Sequence, residues 1–293
     1  MTATSPAWHT LVEAPALAAA LDDPALRLVD ARFVPAALLD PAAAAAARAA
    51  YAQSHLPGAV YADLNADLSD LGRPGLGRHP LPDDAAFART LGQWGIGPQH
   101  QVVVYDAGDG SMAAARLWWM LGLLGHCRVA VLDGGLAEWR RLGLPETDAA
   151  SAPSPLPPYP QAFDATRIVS AEEVAARLHE APGWLLDARP GERFRGEVEP
   201  IDPLPGHVPG ALNRPLAQNL RDGRLRPAQE LRAELQPLLQ GRDPREVVLM
   251  CGSGVTACHL LLALEHAGLH GARVYAGSWS GWIADPARPR AIG

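Results

Sequence analysis

The chain has 293 residues, 48% of them apolar, with a formal charge of −7 and no lysine, so that all 25 basic side chains are arginine. That length suits two domains of ordinary size. No apolar run approaches the about 18–20 residues of a membrane span, and no basic cluster suits nucleic acid, so neither is expected as a partner.

Three cysteines, Cys127, Cys251 and Cys258, are too few and too odd for a disulfide framework. The stretch from Met1 to Trp8 has no basic region followed by an apolar one, so a secretory signal is not expected. Together these features predict a reducing, cytoplasmic setting.

In chain order, Leu26-Arg27-Leu28-Val29-Asp30-Ala31-Arg32 predicts a strand ending in Asp-Ala-Arg, and Trp184-Leu185-Leu186-Asp187-Ala188-Arg189 repeats it. His55-Leu56-Pro57-Gly58-Ala59 is answered by His207-Val208-Pro209-Gly210-Ala211, and Val102-Val103-Val104-Tyr105-Asp106 by Val247-Val248-Leu249-Met250-Cys251. Finally Gly134-Gly135-Leu136-Ala137-Glu138-Trp139 corresponds to Gly277-Ser278-Trp279-Ser280-Gly281-Trp282. Four matches in one order mean an internal duplication with a period too long for a solenoid. Apolar strands alternate with helical stretches such as 113–124 and 171–178, which predicts an α/β fold with a mostly parallel sheet flanked by helices in each unit. Between the units, Pro153, Pro155, Pro157, Pro158 and Pro160 favour an extended surface connector. The expected division is 8–147, a linker at 148–162, and 163–293.

The chemistry points to 247–259. The apolar residues before Cys251 read as a short buried strand, and from Val255 the pattern is helical until Gly268. The intervening loop carries Gly252 and Gly254, which permit backbone conformations that other residues resist. Loop N–H groups and a helix N-terminus aimed at one sulfur favour the thiolate, which predicts a readily ionised Cys251. An isolated cysteine would be read as buried filler, but the strand–loop–helix context argues for a reactive one.

Three other loops share parts of this pattern. A cysteine phosphatase needs Arg six positions after its Cys, where this chain has Ala257. A P-loop needs a lysine. The dinucleotide fingerprint G-x-G-x-x-G/A fits 252–257 but wants an acidic residue about 20 positions on, where the run Ala272-Arg273-Val274-Tyr275 ends in Ala276 and Gly277. A second match at 108–113 does have Asp133 after the apolar run 129–132, so nucleotide binding stays open. Thermal stabilisation by a cofactor would reveal it.

Cys-Gly-Ser-Gly-Val-Thr-Ala at 251–257 resembles the active-site loop of the rhodanese superfamily, specifically its 3-mercaptopyruvate sulfurtransferase branch. The thiosulfate-using branch carries two basic residues after the cysteine, where this chain has Gly252 and Ser253. The resemblance implies two tandem rhodanese-like domains. It also implies transfer of a sulfane sulfur from a small anionic donor, 3-mercaptopyruvate or thiosulfate, through a Cys251 persulfide. The acceptor would be a thiol, a thioredoxin-like protein or cyanide, and the chemistry requires no metal or organic cofactor. His266 and His270 have i,i+4 spacing, but Gly268 interrupts the helix between them, so they are not expected to form a metal site.

Residue by residue, Gly252, Gly254, Val255 and Thr256 would surround the sulfur, with Thr256 capping or bracing the loop. Ser253 matches a serine that the branch is proposed to couple to a histidine and an aspartate. His79, in Gly77-Arg78-His79-Pro80-Leu81-Pro82, fits the histidine, while the aspartate position falls on Asn65. Arg193, in Glu192-Arg193-Phe194-Arg195-Gly196, matches the donor-binding arginine. The family's second arginine, nine residues on, is absent from Glu199-Pro200-Ile201-Asp202-Pro203, which leaves Arg195 or Arg214 as candidate substitutes. Trp279 and Trp282 are expected to wall the pocket, and Gly281 stands where an acidic residue is common. Cys258 is expected to be buried filler. Asp106, at the cysteine position of the first unit, cannot carry sulfur and makes that domain catalytically inactive. A non-enzymatic binding module on the same fold is the alternative, and the intact loop around Cys251 argues against it.

Overall fold

The computed structural model describes residues 7–33, 41–108 and 113–293. The chain divides into two compact units, one running to Leu68 and resuming over Pro82–Phe163, the other formed by Ser69–Leu81 and Asp164–Gly293. The segment Ser69–Leu81, expected within the first domain, thus groups with the second unit.

The first unit contains β1 (Leu11–Val12), α1 (Ala14–Ala18), β2 (Leu26–Asp30), α2 (Pro41–Gln53), β3 (Val60–Tyr61), α3 (Asp84–Gln93), β4 (Gln101–Tyr105), α4 (Ala113–Leu123), β5 (Val129–Leu132) and α5 (Gly135–Arg141). Its strands form a five-stranded sheet in the order β1-β5-β4-β2-β3, parallel at every pairing. Every residue of β4 and β5 is buried, as expected for parallel strands covered on both faces.

The second unit contains β6 (Ile168–Val169), α6 (Ala171–Ala176), β7 (Leu185–Asp187), α7 (Gly191–Phe194), β8 (Leu212–Asn213), β9 (Leu220–Arg221), β10 (Arg224–Leu225), α8 (Ala228–Leu238), β11 (Val248–Met250), α9 (Thr256–His266), β12 (Arg273–Tyr275) and α10 (Ser278–Trp282). Its main sheet runs β6-β12-β11-β7-β8, again parallel throughout. Strand for strand this is the order of the first sheet, so the repeat in the sequence is a repeat of topology. The hairpin β9–β10 is an antiparallel addition.

The repeated sequence features are mostly structural. In each unit the Asp and Arg of Asp-Ala-Arg form a buried ion pair, at 2.5 Å for Arg32–Asp30 and 2.7 Å for Arg189–Asp187. Each guanidinium then donates to a carbonyl just before the His-x-Pro-Gly segment, Ser54 O at 2.9 Å or Gly206 O at 2.8 Å. The two histidines form matching bridges, His55 with Thr147 and His207 with Ala291. The tryptophans Trp139 and Trp282 donate their indole N–H groups to the carbonyls of Pro145 and Pro289. Such paired buried charges fix one arrangement of strand end and loop.

Residues 148–163 run as irregular chain along α3. Leu156 N–H donates to Gly92 O at 2.8 Å and Tyr159 N–H to Ala88 O at 3.0 Å, with the Tyr159 ring buried. The glycine-rich match at 108–113 has residues 109–112 outside the described residues.

Candidate active site

β11 is central in its sheet, paired with β12 and β7, and delivers Cys251 directly beyond Met250. The loop turns sharply at Gly254, whose φ of +77° falls in the left-handed region. A Cβ at Gly254 would run into the Ala276 carbonyl, so glycine is required there for two reasons. The turn aims the Gly254 N–H at Cys251 Sγ, 3.2 Å away. Helix α9 begins at Thr256, with Val255 at the N-cap making no side-chain capping bond. The expected capping by Thr256 is therefore absent: the hydroxyl sits one residue too late, inside the first turn. Residues 257–264 of α9 are all buried, which anchors the loop from below.

The start of α10 clasps the loop from the other side. Cys251 N–H donates to Ser278 Oγ at 3.0 Å, Trp279 N–H to Cys251 O at 2.9 Å, and Ser280 N–H to Gly252 O at 2.9 Å. Cys251 is 1% exposed. Cys258 is buried and donates its thiol to Gly254 O at 3.1 Å, a packing role within the turn.

The segment Ser69–Leu81 closes on itself through Asp70 N–H to Pro80 O at 3.0 Å. It lies against α10, because Arg78 N–H donates to Ser280 Oγ at 2.9 Å. A Cβ at Gly77 would meet the Gly277 carbonyl at 2.5 Å, and one at Gly281 would meet Gly77 N at 3.3 Å. Position 281, where Gly281 replaces the acidic residue common in this motif, is thus packed too tightly for a larger side chain without a shift. The segment brings His79 Nδ1 to 2.8 Å from Ser253 Oγ, with both residues buried. Asn65 belongs to the first unit, where its backbone N–H donates to Asp63.

Two guanidiniums flank Gly252. A Cβ placed there would lie 3.3 Å from Arg78 Nη2 and 3.7 Å from both Nη atoms of Arg193. Asp202 joins them, accepting from Arg78 Nη1 at 2.5 Å and from Arg193 Nη2 at 3.0 Å. Glu199 accepts from Arg193 Nη2 at 2.7 Å and from the N–H groups of Ile201 and Asp202. Burial pushes the Glu199 carboxyl up, but the Arg193 guanidinium and those two N–H groups outweigh it and hold the group below its ordinary range.

Sequence reasoning identified Arg193 and missed Arg78, although Arg78 immediately precedes His79. It also missed Ser278 and Asp202, whose contacts with Cys251 and Arg78 span 27 and 124 positions, and Glu199, which pairs with Arg193 only six positions away. The suggested substitutes are engaged elsewhere: Arg195 pairs with Glu197 at the surface, and Arg214 is buried against Asn219 and Glu234. Trp279 and Trp282 are core residues, each 0% exposed, rather than pocket walls. Trp279 stacks beneath the Arg189 guanidinium and donates to Leu204 O at 2.8 Å.

Asp106 follows β4 as Cys251 follows β11, and its carbonyl accepts Leu136 N–H just as the Cys251 carbonyl accepts Trp279 N–H. Its carboxylate accepts the Gly108 N–H at 3.4 Å. Among the described residues, no helix is long and apolar enough to cross a membrane.

The rhodanese-like domain family matches this chain twice, at residues 13–142 and 170–285. A Pseudomonas aeruginosa protein named as a probable 3-mercaptopyruvate sulfurtransferase is 48% identical over 97% of this chain and 98% of its own length. The 3-mercaptopyruvate sulfurtransferase of Escherichia coli is 36% identical over 92% of each chain. The solved structure of 3-mercaptopyruvate sulfurtransferase from Leishmania major superposes with a TM-score of 0.80 at 32% identity, covering 93% of this chain and 73% of that one. With a duplicated parallel sheet and a cysteine loop at the end of the second sheet's central strand, the chain belongs to the tandem rhodanese-like sulfurtransferase family.

Proposed function

We propose that this protein takes a sulfur atom from 3-mercaptopyruvate onto Cys251 and passes it to a thiol acceptor. The Cys251 thiolate attacks the donor sulfur. The bond from that sulfur to carbon breaks, and its electron pair stays on carbon as the enolate of pyruvate. The proton of the donor thiol ends on that carbon, leaving pyruvate and a Cys251 persulfide anion. An acceptor thiolate then attacks the outer sulfur, regenerating the Cys251 thiolate and leaving as its own persulfide. Cyanide would leave as thiocyanate. A thioredoxin-like acceptor and a cytoplasmic setting suit a chain whose three cysteines are unpaired.

The observation that carries the donor assignment is the contact between Ser253 Oγ and His79 Nδ1 at 2.8 Å, two residues from the nucleophile. A hydroxyl–imidazole pair can relay a proton to an enolate. Thiosulfate releases sulfite, which needs no such proton. Arg193 supplies charge for the donor's carboxylate. The Gly254 N–H stabilises anionic sulfur before and after transfer, as an oxyanion hole stabilises oxygen, and Gly252, Val255 and Thr256 complete the loop around it. The first domain, 8–147, has Asp106 in place of a nucleophile and serves as scaffold, joined by 148–162 to the catalytic domain, 163–293.

A thiosulfate preference is the second reading, favoured by the two guanidiniums beside Gly252. Steady-state assays with both donors, paired with intact-mass analysis of wild type, Cys251→Ser, Cys127→Ser and Cys258→Ser, test the proposal. Expected are one added sulfur on Cys251, no turnover in Cys251→Ser, and most activity kept in the other two. Sulfur found on Cys258 would overturn the assignment of the nucleophile.

A further inference from the structure

Six large apolar side chains stand exposed among the described residues: Leu71, Leu76, Leu142, Val198, Leu204 and Ile292. Leu142 ends α5 in the first unit. The other five belong to the second unit, and they fall on or against the two segments that hold the groups around Gly252. Leu71 and Leu76 are on Ser69–Leu81, which carries Arg78 and His79. Val198 and Leu204 are on the stretch between Gly196 and Gly206, which carries Glu199 and Asp202. Ile292 packs on both ends of that stretch, its side chain 3.4 Å from a Cβ placed at Gly196 and 3.5 Å from one at Gly206. The Arg78–Asp202 ion pair joins the two segments, and both meet α10. There the Leu204 carbonyl accepts the Trp279 indole N–H, and the Leu76 carbonyl carbon lies 3.4 Å from a Cβ placed at Gly281. Single exposed leucines scattered over a surface need no explanation, but here they gather on one frame around the cysteine loop.

We propose that Leu71, Leu76, Val198, Leu204 and Ile292 form the docking surface for the sulfur acceptor, a small dithiol protein whose reactive thiol stands in an uncharged apolar face. This rests on the reading of Cys251 as a sulfur carrier. Cys251 is 1% exposed, so its outer sulfur has to be collected at the loop itself. A small anionic donor is held by charge and gains nothing from leucines on the outside of the frame. A protein that brings its own thiolate to a buried sulfur must lay its surface on that frame. The charges of the frame are largely matched within it, Arg78 with Asp202, Arg193 with Glu199 and Arg195 with Glu197, while Arg73 donates to the Leu81 carbonyl. On a chain of net charge −7, a face neutralised in this way complements an uncharged partner face rather than an acidic or basic one. Apolar contact around the two sulfurs also keeps water from the exchange, in which the acceptor takes the outer sulfur and Cys251 returns to its thiolate. Two copies of this chain paired through the same surface would cover both loops and block transfer, so self-association is the competing occupant.

The test loads Cys251 with sulfur from 3-mercaptopyruvate and follows loss of that sulfur by intact mass, with reduced thioredoxin as the protein acceptor and dithiothreitol as the small one. Wild type is compared with Leu71→Ser/Leu76→Ser, with Val198→Ser and with Leu142→Ser. The rate constant for thioredoxin is expected to fall about ten- to a hundredfold in the double variant, the loss expected for two leucines removed from an apolar contact, and by less in Val198→Ser. The rate constant for dithiothreitol should stay within about twofold of wild type in every variant, and Leu142→Ser should match wild type with both acceptors. Added salt should change the wild-type thioredoxin rate by no more than about threefold, since no charge pairs carry the contact. Thioredoxin rates that are equal in wild type and the double variant would overturn the inference. So would equal falls with both acceptors, which mark damage to the cysteine loop, or a wild type that yields its sulfur to dithiothreitol but not to thioredoxin. A wild-type dimer in sedimentation that the double variant turns into a monomer would give the surface to a second copy of the chain instead. Should the serine pair not fold, Leu71→Gln/Leu76→Gln carries the same comparison. A wild-type protein that gains no sulfur at Cys251 fails before any acceptor is added, and that result overturns the sulfurtransferase reading itself.

Discussion

The hydroxyl of Ser278 accepts the backbone N–H of Cys251 at 3.0 Å and donates to the Tyr275 carbonyl at 2.9 Å. One side chain thus fixes the Cys251 backbone to the end of β12. To do so Ser278 adopts a φ of +51°, a conformation that an L-residue takes only under constraint. Backbone strain beside the Cys251 sulfur is tolerated here because the hydroxyl satisfies a buried donor that would otherwise have no partner.

Replacing Ser278 separates these two effects. Ser278→Ala keeps the strain and leaves the Cys251 N–H unsatisfied, which costs about 1–3 kcal/mol. Ser278→Gly loses the same bond but relieves the backbone, so it should unfold at a higher denaturant concentration than the alanine variant, by about 1 kcal/mol in stability. Equilibrium denaturation of the three proteins measures this. An alanine variant as stable as wild type would mean that the Ser278 hydroxyl bears no structural load.

The two loop glycines should respond in opposite ways. Gly254→Ala meets both a left-handed φ and the Ala276 carbonyl, so it should lose at least about 1–3 kcal/mol of stability and most sulfur transfer. Gly252→Ala meets only guanidinium ends, Arg78 at 3.3 Å and Arg193 at an ordinary contact of 3.7 Å, and the end of a flexible side chain can move. That variant should fold as wild type does, with the change confined to donor KM. Equal damage from both substitutions would be inconsistent with this geometry.

Glu199 gives the site an acid-sensitive stability. Its carboxyl is held below its ordinary value of 4.5, since Arg193 and two backbone N–H groups outweigh the burial that pushes it up. A depressed folded-state pKa adds stability that is present in full above the ordinary value and is lost as pH falls through the folded one. The stability gap between wild type and Glu199→Gln should therefore be widest near neutral pH and should narrow below 4.5. Denaturation midpoints across that range provide the measurement, and a gap that is constant with pH would remove Glu199 as its source.

The parts legible in the sequence were those written in neighbouring residues. Apolar runs closed by Asp-Ala-Arg, the His-x-Pro-Gly segments and the cysteine loop each carry their meaning within about ten positions, and their repetition exposed two copies of one sheet. Arg78, Asp202 and Ser278 carry theirs through contacts with residues tens to more than a hundred positions away, so no local pattern marks them. The expectation for Trp279 and Trp282 failed for a related reason. Their indole N–H groups find carbonyl partners inside the fold, at Leu204 and Pro289, which lets both rings be buried completely. The absence of a second arginine near Glu199 was read correctly from the sequence, but it did not reveal that carboxylates there organise an arginine from elsewhere.

Donor choice is where loop and surroundings can be set against each other. Gly252 and Ser253 are small and neutral, and Ser253 Oγ lies 2.8 Å from His79 Nδ1, which suits a donor whose leaving group must be protonated. Thiosulfate is a dianion that needs no proton but gains from positive charge beside the sulfur. The variant Gly252→Arg with Ser253→Lys would change every one of these terms together. It removes the hydroxyl from His79, adds two charges next to Cys251, and places a side chain where a Cβ already lies 3.3 Å from Arg78, so that the native guanidinium is displaced by crowding and by like charge. Wild type should have the higher kcat/KM with 3-mercaptopyruvate, and the double variant should shift the ratio toward thiosulfate by about one to two powers of ten, the loss of one charge-assisted contact to the carboxylate. Arg193→Ala should impair both donors, because its guanidinium lies on the shared approach to Gly252. The ratio of kcat/KM values for the two donors, measured in all three proteins at one pH and ionic strength, decides the matter. A wild-type protein that already favours thiosulfate tenfold, on that order, would overturn the donor assignment and leave sulfur transfer through Cys251 standing.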